Sequence, residues 1–181
     1  MSNSIFEQNY FEIFSIAVST EPDSEKLREA NRELQQQVHP DRFANSSDAE
    51  KRQAMQITSL INQAFKTLQE PVLRLQYMLS LRGVDMSAET DTSMDGEFLM
   101  AQMALREEIA DIRNQSEPLD VLETMRMDLK NKSVDLIRHF DRAYQAGELD
   151  QGREIVRKLQ FLNKAQKEIN DMTIQLEDEF I

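Results

Sequence analysis

His39, Pro40 and Asp41 set an imidazole and a carboxylate on either side of a proline. Such a pair could transfer protons, or it could serve as a polar surface for another molecule to grip. Proton-transfer catalysis needs companions, and no nucleophile, metal cluster or glycine-rich phosphate loop accompanies the pair. The second reading has a local cause. Proline fixes its own φ and drives the residue before it towards extended geometry, so His39 and Asp41 are expected at a loop tip rather than inside a helix. There they can donate and accept hydrogen bonds with a partner. Plainer roles also fit the bare tripeptide: His39 as a helix-end residue on the dipole, Pro40 as a stop and Asp41 as a turn former.

The flanking elements decide how the tripeptide is held. Asp23 or Ser24 can cap a helix on which Leu27, Ala30, Leu34 and Val38 recur at the spacing of one buried face, ending where Pro40 forbids continuation. Asn45 to Asp48 are turn and cap formers. Beyond them Ala54, Ile57, Ile61, Ala64 and Leu68, widened by Leu60 and Phe65, make a second amphipathic helix. Two antiparallel helices therefore flank the corner. Tyr10 to Ile16 and Val72 to Leu81 are apolar enough to pack across them, with Pro71 suited to a first helical turn.

Periodicity lapses from Gly83 to Gly96, where small polar residues gather, which predicts a linker. Three longer helical segments follow, roughly 97–112, 119–144 and 151–179, with Gly147 and Gly152 marking the last turn between them. Leu119, Leu122, Met125, Leu129, Leu136 and Phe140 share one face, as do Ile155, Leu159, Leu162, Ile169 and Leu176. The expected fold is all-α: a helical hairpin unit over 1–82, a linker over 83–96 and a three-helix bundle over 97–181.

Composition narrows the function further. The chain has 181 residues, four Gly, four Pro and no Cys, so disulfides, thiolate nucleophiles and cysteine-held clusters are excluded. A net charge of −12 argues against a nucleic-acid partner, because that affinity rests on Lys and Arg neutralising phosphates. Residues 1–82 hold nine Lys and Arg against eleven Asp and Glu, leaving twelve against twenty-two in 83–181. The acidity thus sits in the second part. No basic leader or membrane-length apolar run is present, so a cytoplasmic protein without a membrane partner is expected.

A second informative stretch runs from Phe98 to Ile112. At roughly 100° per residue, Phe98, Leu105, Ile109 and Ile112 cluster on one side of a helix. Leu99, Met100, Met103, Glu107 and Asp111 gather on roughly the opposite side. A two-layer bundle needs only the first face. The second could pack on the N-terminal part or the linker, or it could meet another protein, since adaptable methionines with a charged rim suit such a surface.

The tripeptide in this setting, with Tyr10-Phe11 before it and Asn62-Gln63-Ala64-Phe65 late in the following helix, resembles a J-domain over roughly residues 9–80. The helix from Phe98, the order of the two parts and the bundle are together similar to the HscB family of co-chaperones of iron–sulfur cluster assembly. That resemblance implies an L-shaped two-domain co-chaperone rather than an enzyme, with no cofactor or metal of its own. By it, His39, Pro40, Asp41 and the basic residues Lys26, Arg28, Arg32 and Arg42 would contact a DnaK-type chaperone, HscA, and stimulate its ATPase. Leu99, Met100, Met103, Glu107, Asp111 and Phe161 would contact the scaffold protein IscU. A J-domain protein serving another client is the alternative. Phe161 lies off its helix's core face, which suggests exposure. Ala104 stands where the family pattern commonly has an acid, and Asp111 where it has a Glu. Glu25, Glu29 and Glu33 lie within helical reach of the bases, so the positive face is expected to be partly cancelled and chaperone docking to be only modestly salt-sensitive.

Overall fold

The computed structural model describes residues 4–43, 46–86 and 96–179, and every regular element among them is helical. By contact the chain divides into two units, Met1–Met78 and Leu79–Ile181.

The first unit holds α1 (Tyr10–Ile13), α2 (Ser24–Gln37), α3 (Asp48–Gln69) and most of α4 (Pro71–Leu81). Each start has a chemical cause. The Asn9 side chain accepts the N–H groups of Phe11 and Glu12, while the Glu12 carboxylate accepts the N–H of Asn9 at 2.8 Å, a reciprocal capping box. Asp23 caps α2 by accepting the N–H groups of Lys26 and Glu25, and the Lys26 bond chiefly holds its carboxyl below the ordinary value. Ser47 and Glu50 form a second capping box at the start of α3. Glu70 has the extended backbone that a residue before proline prefers, and α4 begins at Pro71.

The amphipathic stripes meet as the periodicity predicts. Leu27 of α2 and Ala54, Ile61, Ala64 and Leu68 of α3 are buried, with Phe11, Phe14, Leu75 and Met78 completing the core. Tyr77 of α4 stacks on Tyr10 with ring centroids 4.2 Å apart, and its hydroxyl accepts the N–H of Tyr10. A feature absent from the sequence reading is Arg74, which is 7% exposed. Its guanidinium donates to the carbonyls of Thr20 at 2.9 Å and Leu68 at 2.6 Å, tying the loop before α2 to the end of α3. Burial lowers its pKa, with Glu21 and Glu70 opposing.

The second unit holds the end of α4, then α5 (Gly96–Asp111), α6 (Pro118–Ala146) and α7 (Leu149–Glu179). Ile109, Ile112, Leu122, Leu129, Leu162, Ala165, Ile169 and Leu176 form its principal core. Gly147, at φ 77°, closes α6, with Glu148 N–H donating back to Ala143 and Gly147 N–H to Tyr144.

Two details depart from the sequence reading. Gly152 is no turn residue but a buried position inside α7, where a Cβ would sit 3.3 Å from Leu79 and 3.5 Å from Phe140. Glycine there answers close packing rather than chain reversal. The division between units falls inside α4, after Met78, rather than in the 83–96 stretch. Leu79 and Arg82, whose guanidinium lies 5.2 Å from the Tyr144 ring, belong with the second unit. Gly83, at φ 81°, closes α4, and residues 87–95 lie outside the described residues.

Candidate functional site

The corner after α2 is short and ordered by its own backbone. Val38 ends the helix, and Pro40–Phe43 form a single 3-10 turn in which the Arg42 N–H donates to the His39 carbonyl at 3.0 Å. The Asp41 N–H donates to His39 Nδ1 at 3.3 Å, and the Asp41 carboxylate lies 3.6 Å from the same nitrogen. An acceptor at Nδ1 leaves Nε2 to carry the proton of the neutral ring. Both side chains remain open to solvent, 60% for His39 and 91% for Asp41. The corner therefore offers an imidazole edge and a carboxylate in a locally fixed relation. Between its flanking helices, the Gln35 side-chain amide donates to the Asn62 side-chain oxygen at 2.7 Å. Sequence reasoning noted Asn62 as part of a motif but not this bridge.

The basic residues of α2 differ from expectation. Lys26 pairs with the capping Asp23 at 3.7 Å, and not with Glu25, Glu29 or Glu33. Arg28, Arg32 and Arg42 are exposed and form no ion pair among the described residues. Among the described residues, contact-distance cancellation is thus confined to Lys26 and Asp23, because long exposed side chains gain little by fixing one geometry.

On α5 the two faces separate. Ile109 and Ile112 are buried, whereas Leu99, Met100 and Met103 are 44%, 73% and 64% exposed. Glu107 and Asp111 border this stripe and are exposed. The Asp111 carboxylate is already engaged, accepting from the side-chain amides of Asn114 at 2.8 Å and Gln115 at 3.1 Å at the end of the helix.

Phe161 is not exposed as its position on α7 suggested. It is half-buried and meets Phe98 edge to face, with centroids 5.7 Å apart and planes at 86°. A face of α7 that turns away from α6 is covered by α5. Phe161 and Phe98 line a cleft of about 530 Å³ with Ala101, Ala104, Leu129 and Leu136, on a flank of α5 other than the one carrying Met100 and Met103. The spacing of Ala101 and Ala104, two small residues on one flank, was the signal that could have foretold it. His139 lies on the same cleft and is exposed.

Among the described residues, no three His, Asp or Glu side chains are grouped to hold a metal ion, and no helix is long and apolar enough to cross a membrane. A family model described as the HSCB C-terminal oligomerisation domain matches residues 94–170. A co-chaperone protein HscB homolog of Shewanella loihica is 40% identical over 164 residues, covering 89% of this chain and 95% of the relative. The chaperone HscB from Vibrio cholerae superposes with a TM-score of 0.83 at 30% identity, covering 96% of this chain and all of that structure. The human co-chaperone protein HscB gives a TM-score of 0.83 at 27% identity, with 93% and 84% coverage. A corner between packed helices with His39 and Asp41 exposed, a following helical bundle and likeness along nearly the whole length agree: the chain belongs to the HscB family of co-chaperones.

Proposed function

We propose that this protein stimulates the ATPase of a specialised DnaK-type chaperone, HscA, and delivers to it the iron–sulfur scaffold protein IscU for cluster assembly and transfer. In this reading residues 1–82 act as the J-domain, 83–96 as a linker and 97–181 as the client-carrying bundle. The chain works in the cytoplasm and catalyses no reaction itself. Hydrolysis takes place in the chaperone, and this chain supplies the surface that favours it.

The observation that carries the proposal is the corner at His39 to Asp41. Its two polar side chains are exposed and locally fixed, which suits recognition by a protein. Pro40 stiffens the turn, while the cations of Lys26, Arg28 and Arg32 along α2 and of Arg42 in the turn suit an acidic surface on the chaperone. Leu99, Met100 and Met103, with Glu107, Asp111 and Phe161, form the client side. The exposed Leu99, Met100 and Met103 side chains give an adaptable apolar anchor, and Glu107 provides a charged rim.

The test measures HscA ATPase with and without IscU. The wild-type chain stimulates turnover, and IscU stimulates it further. His39→Gln abolishes stimulation by the chain while IscU binding persists. Full stimulation by that variant would refute the docking assignment.

A further inference from the structure

The cleft between α5 and the α6–α7 pair sets Lys132 and Lys158 against Glu108 and Asp135 within an acidic part of the chain. Its floor is apolar, from Phe98, Leu129, Leu136 and Phe161, and its volume of about 530 Å³ falls in the range that accommodates a specific ligand group. Lys132 and Lys158 stand on its walls in a region whose net charge is −10. Lys132 has no ion-pair partner among the described residues. Lys158 places its ammonium 5.5 Å from the centre of the Phe98 ring, an interaction that holds the amine at the cleft without neutralising it. Of the acids lining the cleft, Asp135 is paired with Arg138 at 3.4 Å, and Glu108 remains. Ala104 adds a methyl group to the wall and no carboxylate.

We infer that this cleft receives an acidic segment of the client protein, an apolar side chain entering between Phe98 and Phe161 and a neighbouring carboxylate meeting Lys132 and Lys158. The inference rests on the client-carrying role proposed above and specifies the chemistry that its second flank recognises. The Leu99, Met100 and Met103 stripe is bordered by Glu107, whereas the cleft on the other flank of α5 presents Lys132 of α6 and Lys158 of α7, so the client meets two signs of charge on the two sides of α5. A client with the matching pair of signs can seat in one orientation, because the reversed one opposes like charges. Glu108 partly offsets the lysines, so its removal favours the same carboxylate.

The experiment is calorimetric titration of purified IscU into the full chain. Lys132→Glu combined with Lys158→Gln weakens binding about tenfold, whereas Glu108→Lys strengthens it several-fold, and both effects shrink at high salt. Opposite signs at one cleft are not expected of general damage to the fold. Lys132→Glu alone leaves the Lys158–Phe98 contact in place and weakens binding in the same direction. The companion variant Leu99→Ala/Met100→Ala/Met103→Ala separates this inference from the reading beneath it. Unchanged affinity in the lysine variants with large loss in the stripe variant overturns the cleft and keeps the client site. Unchanged affinity in all of them, or absence of wild-type binding, overturns the client site itself.

Discussion

Replacing Leu99, Met100 and Met103 together by Ala should remove client affinity and leave stability where it was. Fully burying such a side chain is worth about 1.5–3 kcal/mol. In the free protein the three are still 44%, 73% and 64% exposed, so a covering partner gains roughly those fractions of the full value. Alanine keeps the Cβ, which leaves about 3 kcal/mol to be lost across the set, or roughly a hundredfold in the dissociation constant. The folded chain loses little. Its buried counterparts on α5 are Ile109 and Ile112, and alanine is at least as good a helix former as Leu or Met. Calorimetric titration with IscU reads the first effect, and thermal circular dichroism of the free variant reads the second. A melting temperature lowered by many degrees would show that the stripe is core. Unchanged affinity with an unchanged melt would show that the client sits elsewhere.

Two further outcomes follow from groups whose surroundings are defined. Arg74→Met keeps the apolar stem but leaves the carbonyls of Thr20 and Leu68 without their charged donor, and should cost about 2–4 kcal/mol, read from the urea midpoint; a loss below about 1 kcal/mol would mean that water replaces the guanidinium. Because Arg28 and Arg32 form no ion pair among the described residues, stimulation of the chaperone should fall clearly with salt. Arg28→Ala/Arg32→Ala should flatten that dependence, and an equally steep curve in the variant would place the salt effect elsewhere.

How far the molecule could be read from its sequence depended on the range of the interaction. The hairpin around His39 was legible because a three- and four-residue apolar rhythm on each side, ended by Pro40 and restarted near Ser47, is written in local order. Phe161 was misjudged because α7 has two neighbours, and a stripe facing α6 says nothing of the face that α5 covers. Gly152 was read as a turn because its packing against Leu79 and Phe140 joins residues far apart in sequence. The acids of α2 were assigned as partners for its bases by spacing alone, yet several i,i+3 and i,i+4 choices are nearly equal in energy, and the ion pair that Lys26 forms uses the cap. Arg74 gave no local signal, since both carbonyls it serves come from other segments.

The residues assigned to partners are, for the most part, residues the fold can spare. His39, Asp41, Met100 and Met103 are largely exposed, while the core of each unit is made by others, such as Phe11 and Ile61 in the first and Leu129 and Ile169 in the second. Substitution at the exposed positions therefore acts on binding, with stability changes expected within about 0.5 kcal/mol. Phe161 is the exception, because its contact with Phe98 belongs both to the bundle and to the cleft. Loss of client binding in a Phe161 variant alone would consequently not distinguish a missing contact from a shifted α5. The exposed stripe and the Lys132 wall carry no such ambiguity, and the client surface and the chaperone-facing corner at His39 to Asp41 can be silenced separately. A chain silenced at only one of them should still bind the other partner while losing the gain in effective concentration that carrying client and chaperone together provides.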